Sequence, residues 1–153
     1  MIIRQIDEGS FSLQLSEIQK ELISLYCAEV RSSIKANEGI MGVSRLFPPA
    51  YDGMHTDESE YRAMVHSDLV SSHVSALDNL VKSLIKDEIT ESELQKMMQA
   101  LNILRLFLGE RLDISGGNYQ PPVEEDPDYN TWLIFQLFGE MLSVVVDTLQ
   151  KKI

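Results

Sequence analysis

One cysteine, Cys27, stands in 153 residues. An intramolecular disulfide is therefore excluded, and a thiolate metal cluster is disfavoured. Basic residues are scarce too: 13 Lys and Arg against 24 Asp and Glu give a net charge of −11. Such a surface repels phosphate, which argues against direct nucleic-acid binding and against docking on an anionic membrane. No unbroken apolar run approaches the ~20 residues of a membrane span. The opening MIIRQIDEGS lacks the basic-then-apolar order of a secretion signal, so the cytoplasm is the expected compartment. There is no glycine-rich phosphate loop and no nucleophile accompanied by a base and an orienting group. The reading therefore assigns no catalytic residue, no cofactor and no metal, and leaves protein partners and small ligands open.

What is present suits one domain over residues 1–153, a hairpin at 1–15 followed by a helical body at 16–153. A chain of this length buries roughly 70% of its unfolded surface and needs no metal or disulfide to fold. Apolar and polar residues alternate on both sides of DEGS, so Ile3 and Ile6, then Phe11, Leu13 and Leu15, predict two strands around a glycine turn. SEIQ at 16–19 matches a capping box, in which a Ser or Thr side chain and a Glu or Gln three residues on satisfy each other's backbone N–H. A first helix follows to about Ala36, with Ile18, Leu22, Leu25 and Tyr26 as its expected apolar face. SRLFPPAYDG reads as an irregular connector pinned by Leu46, Phe47 and Tyr51.

A second helix is expected from Thr56 or Asp57 to about Lys86, then a tight turn at KDEI. TESE at 90–93 is a second capping box and opens a third helix to about Leu112. DISGGNYQPPVEED is a loop. A fourth helix starts with Asp126 as cap and Pro127 in its first turn, and is apolar around a broad arc to the C-terminus. The fold class is mainly α, a four-helix bundle-like single domain with a small N-terminal β-hairpin.

Arg105 is the anomaly. Leu94, Met98, Leu101, Leu104, Leu108 and Leu112 centre the buried face of the third helix, and Arg105 points within the same arc. An unpaired buried charge costs several kcal/mol, so either a carboxylate (Asp68, Asp78 or Glu140) or several carbonyls are expected to meet it, or the side chain snorkels to solvent. The competing reading is an anion-binding pocket in which Arg62 and His66 join Arg105. Gly109, one turn on, leaves room for a helix or ligand to approach. His66 and His73 are two turns apart, roughly 10 Å, too far to share one metal directly. Asp126, Asp128 and Asn130 occupy calcium-loop positions, but Thr131 and Leu137 stand where Gly and Glu are required. Cys27 reads as a small buried apolar residue or, alternatively, as a redox thiol joining two chains. The apolar arc of the fourth helix allows a homodimer.

RLFPPAYDG, EYRAMVHSDL, ALNILRLFLGERLDI and DPDYNTWLIFQLFGEMLSVVVDTL follow one another over nearly the whole chain. In these segments the protein resembles a family of small actinobacterial proteins, catalogued as a domain of unknown function and often encoded beside the adaptor of the Clp protease. The family includes the AosR-type oxidative-stress transcription regulator. Arg62, Asp68 and Leu69 match its pattern in the second helix; Leu104, Arg105, Leu106, Leu108, Gly109, Arg111 and Leu112 match that in the third. The resemblance implies a common fold, a framework role for Arg105, and action on transcription by contact with a sigma factor or RNA polymerase. The family's regulator is described as sensing oxidation through two cysteines three residues apart. With Cys27 alone, this chain cannot form that disulfide.

Overall fold

The computed structural model describes residues 1–36, 56–114 and 119–152, with side chains described from residue 67 in the second of these stretches. The expected connector with Leu46, Phe47 and Tyr51, His55, and the side chains of Arg62 and His66 lie outside the described residues.

The protein is mainly helical, with four helices among the described residues and an N-terminal antiparallel strand pair. Strands β1 (Ile2–Asp7) and β2 (Ser10–Gln14) pair with Ile3 opposite Leu13 and Gln5 opposite Phe11. Gly9 closes the turn at φ +89°, a conformation that costs a residue without Cβ nothing. Ile6, three residues after Ile3, falls on the outward face by the strand's period of two and is exposed, and the register slips between Gln5 and Asp7. Phe11 and Leu13 are buried as the alternation predicts. A third strand, β3 (Glu88–Thr90), pairs antiparallel with β2 and sets Ile89 opposite Phe11. It replaces the expected tight turn at KDEI. The N–H of Leu13 donates to the carbonyl of Asp87 at 2.9 Å, and that of Glu91 to the carbonyl of Gly9 at 3.1 Å, so the sheet edge holds the start of the following helix.

Helix α1 (Glu17–Ala36) begins at the first capping box: Ser16 Oγ accepts from the N–H of Gln19 at 3.2 Å, and Gln19 Oε1 accepts from the N–H of Ser16 at 3.0 Å. Its buried face is Ile23, Tyr26, Cys27, Val30 and Ile34. Of the face expected from sequence only Tyr26 is buried: Ile18 is 65% and Leu25 61% exposed, with Leu22 half-buried between them. α2 (Thr56–Ser83) ends three residues before Lys86, because the chain turns there into β3.

The second capping box opens α3 (Glu91–Arg111): Thr90 Oγ1 accepts from the N–H of Glu93 at 3.1 Å and Glu93 Oε1 accepts from the N–H of Thr90 at 3.2 Å. Lys86 adds an ion pair to Glu93 and, with these bonds, holds its carboxyl below the usual range. Thr90→Ala is expected to cost about 1 kcal/mol in urea unfolding. The stabilisation from Glu93 is present above its ordinary pKa and fades as pH falls through the lowered one, so the two-state midpoint should drop in acid more for wild type than for Glu93→Gln. α3 ends in a Schellman motif. Asp113 occupies the left-handed position at φ +56°, its N–H donates to the carbonyl of Glu110 at 3.0 Å, and the N–H of Ile114 donates to that of Gly109 at 2.9 Å.

α4 (Tyr129–Lys151) starts two residues later than expected. Asp126 is not its cap. Its Oδ1 accepts from the N–H of Asp128 at 2.8 Å, closing a turn before the helix. α3 is the central element, in contact with α2 and α4 and more lightly with α1, while β1 lies against α4. One core joins Phe11, Ile89, Leu80, Leu94, Leu101, Leu104, Phe107 and Phe138. Met98, expected in the centre of the α3 face, is at its margin, and Met97 and Phe107 are buried instead. α4 is also long and apolar enough, by length and composition, to cross a membrane: one 18-residue stretch has a mean hydropathy of 1.5. Counting unbroken apolar runs misses it because Gln136, Glu140, Ser143 and Asp147 interrupt the run on one side only.

Candidate functional site

Arg105 leaves α3 on the side that meets α4, not α2. Its guanidinium carbon lies 4.8 Å from the centroid of the Phe135 ring. Gly139 makes this approach possible, since a Cβ there would stand 3.2 Å from Arg105 Nε. Asp68 and Glu140 are exposed, and Asp78 is engaged by Arg31 at 2.9 Å, so among the described residues no carboxylate pairs with Arg105. Arg105 Nε is buried without a hydrogen-bond partner among those residues. The expected ion pair is thus replaced by a cation–π contact, worth about 0.5–2 kcal/mol, against an unmet donor that costs about 1–3 kcal/mol. The two nearly cancel. Arg105→Met, which keeps the apolar stem and removes the donor, should leave thermal stability within about 1 kcal/mol of wild type or raise it.

The other framework residues have separate tasks. Arg111 bonds Glu29 of α1 through its guanidinium and stacks over Phe107 at 4.6 Å, tying the end of α3 to α1. Gly109 is buried and serves the helix end through its carbonyl, and a further close approach, of Arg105, is made at Gly139. Asp68 sits on the solvent side of α2.

Cys27 is 2% exposed, and burial, helped by Asp78, pushes its thiol up to about 12. It is held as a neutral thiol, the form that neither attacks a disulfide nor binds metal. This environment suits the small apolar residue of the first reading and disfavours the alternative, a thiol that joins two chains. Among the described residues no cluster of His, Cys, Asp and Glu has metal-holding geometry.

Two surfaces stand out that the sequence did not single out. The first is a groove of about 520 Å³ lined by Lys35, Lys82 and Lys96 together with Ser71, Ser75, Asn79, two valines and the carboxylate of Asp78, which Arg31 engages. None of the three lysines forms an ion pair with a described residue, which is unusual in so acidic a chain. They come from three different helices, so no local run announces them. The second surface is apolar. Ile18 and Leu25 lie two turns apart on one line of α1, and Ile85, in the turn after α2, is 91% exposed. The signal was present in α1, where two apolar stripes compete, and only one is buried.

No curated protein and no solved structure matches the chain. Residues 4–150 match the family described as Domain of unknown function (DUF2017). With nearly its whole length covered by that match, the chain belongs to the DUF2017 family.

Proposed function

We propose that the protein is a non-enzymatic, cytoplasmic regulatory protein that acts through protein–protein contacts, with RNA polymerase or a sigma factor as its partner, in the manner of the oxidative-stress transcription regulator it resembles. The observation that carries the reading is the solvent-facing line of Ile18 and Leu25 on α1. Large aliphatic side chains aligned on one helix, in a surface of net charge −11, favour a protein surface over nucleic acid. The partner class rests on the resemblance. In this reading the buried thiol of Cys27 is not the oxidation sensor.

Co-elution with purified RNA polymerase core and holoenzyme tests it. The expected result is a complex of equal yield with reductant and after peroxide, lost in the Ile18→Glu, Leu25→Glu double variant. No complex with core, sigma factor or holoenzyme in either state overturns the reading.

The lysine groove favours a second reading, binding of a small anion. It moves the anion site from Arg105 to Lys35, Lys82 and Lys96. Inorganic phosphate or citrate should then raise the melting temperature of wild type but not of Lys82→Gln.

A further inference from the structure

The seam between α1 and α2 opens to solvent as a trough. Ser24, Ala28, Arg31 and Lys35, spaced 4-3-4, run along one line of α1, and Ser71, Ser75, Asp78 and Lys82, with the same spacing, along one line of α2. The lines are antiparallel: Ser24 and Ala28 border a hollow of about 360 Å³ with Val81 and Lys82, while Lys35 borders the groove of about 520 Å³ with Ser71 and Val74. Hollow and groove share Asp78 and Lys82, so they form one trough, joined across its middle by the Arg31–Asp78 ion pair. From Ser24 to Lys35 it is about 17 Å long. Its floor is aliphatic, with Val74 half-buried and Val81 40% exposed, and its walls carry small exposed side chains. Four cations, Arg31, Lys35, Lys82 and Lys96, line it against one carboxylate, Asp78. The next carboxylates, Glu21 on α1 and Asp68 on α2, stand about one turn beyond the two ends. In a chain of net charge −11 this is a cationic island. Lys35 and Lys82 lie in the last turns of their helices, where the macrodipole favours a cation, but Lys96 lies in the second turn of α3, near the end where it does not. Helix ends therefore do not account for three lysines that converge without an ion-pair partner among the described residues.

We infer that this trough receives an acidic, amphipathic helix of a partner protein, with its aliphatic side over Val74 and Val81 and its carboxylates on Lys35, Lys82 and Lys96. The inference rests on the reading that the protein acts through protein contacts, and it names the chemistry of one contacting segment. A seam between two antiparallel helices, about three turns long and walled by Ser24, Ala28, Ser71 and Ser75, leaves room for a third helix to lie along it. Lys35 and Lys96 come from the two helices that pack on α2, so acids on both edges of the incoming helix are met. Charge complementarity of this kind steers encounter and fixes register, while the aliphatic floor supplies burial. A nucleic acid suits the trough less. Among its described lining residues there is no aromatic ring for base stacking, no glycine loop, and no guanidinium other than Arg31, which Asp78 engages. A free phosphate would meet the lysines and leave the aliphatic floor bare.

Fluorescence anisotropy with the full chain tests this. The probe is a labelled peptide, AEALEELLEALEELA, which makes about four helical turns with leucines on one side and glutamates on the rest. The expected result is binding with a Kd on the order of 10 µM. The Lys35→Glu, Lys82→Glu double variant should weaken it at least about tenfold with an unchanged circular dichroism spectrum, since both side chains are exposed. The same peptide with Gln for every Glu should lose as much. Lys20→Glu with Lys151→Glu, which changes the net charge equally but away from the trough, should leave binding unchanged. No binding up to about 100 µM protein overturns the inference. So does equal affinity for the glutamine peptide, or equal loss through the distant pair of reversals. Displacement of the peptide by about 1 mM inorganic phosphate at fixed ionic strength would give the lysines to a small anion and overturn it too. Tighter binding of a labelled oligothymidylate would do the same in favour of nucleic acid. No polymerase is present, so a missing polymerase complex leaves this result standing, and a missing peptide complex leaves the polymerase result standing.

Discussion

Phe138→Ala is expected to cost about 3–5 kcal/mol, a drop of about 10 °C in melting temperature for a domain of this size. The ring is wholly buried and meets Tyr26 of α1 edge to face, with centroids 5.8 Å apart and planes at 83°. It is where α4 reaches across to α1, so truncation removes both transfer energy and a geometric contact and leaves a cavity that three helices must close around. Leu133 on the same helix is 43% exposed, and Leu133→Ala should stay within about 0.5 kcal/mol. Urea unfolding of both variants checks the orientation of α4. A cost for Leu133 equal to that for Phe138 would mean that the helix is rotated about its axis.

The second large effect is chemical. With its thiol pushed up from 9.0 to about 12, Cys27 should react with iodoacetamide at pH 8 about a thousandfold more slowly than a free thiol, and burial slows it further. Guanidinium should restore the ordinary rate. The same shift makes stability depend on alkaline pH. Above pH 9 the unfolded thiol ionises and the folded one does not, so the unfolded state has lost a proton that the native state retains. Stability then falls as pH rises, by up to about 1.4 kcal/mol per unit, until the folded thiol ionises near 12. Cys27→Ala should remove that slope. Fast native labelling would restore Cys27 as a redox candidate.

Local chemistry was legible in the sequence, and tertiary choice was not. Both capping boxes could be read because their four residues satisfy each other without help from the rest of the chain. β3 could not, since Glu88–Thr90 contains one apolar residue and becomes a strand only because β2 offers it an edge. In α1, Ile18, Leu22 and Leu25 are as regular a stripe as Ile23, Val30 and Ile34, and helical period alone does not choose between them. The second stripe is flanked by Tyr26 and Cys27, forms the wider face and is the buried one. Arg105 was correctly placed near the core, but the expected carboxylate rested on charge alone. The structure uses an aromatic face and the absence of a side chain at Gly139, a pairing between residues 34 positions apart that no local pattern encodes. The groove of Lys35, Lys82 and Lys96 was hidden for the same reason. Of the stripe that sequence assigned to the core, Ile18 and Leu25 thus face solvent.

The most direct measurement is the affinity of the chain for RNA polymerase holoenzyme, compared between wild type, Leu25→Glu and Arg105→Met. Leu25 faces solvent and Arg105 lies over Phe135. The account predicts binding that Leu25→Glu weakens at least about tenfold, about 1.4 kcal/mol, with both folds intact and Arg105→Met indistinguishable from wild type. Equal affinity for wild type and Leu25→Glu, or loss of binding through Arg105→Met alone, would contradict it.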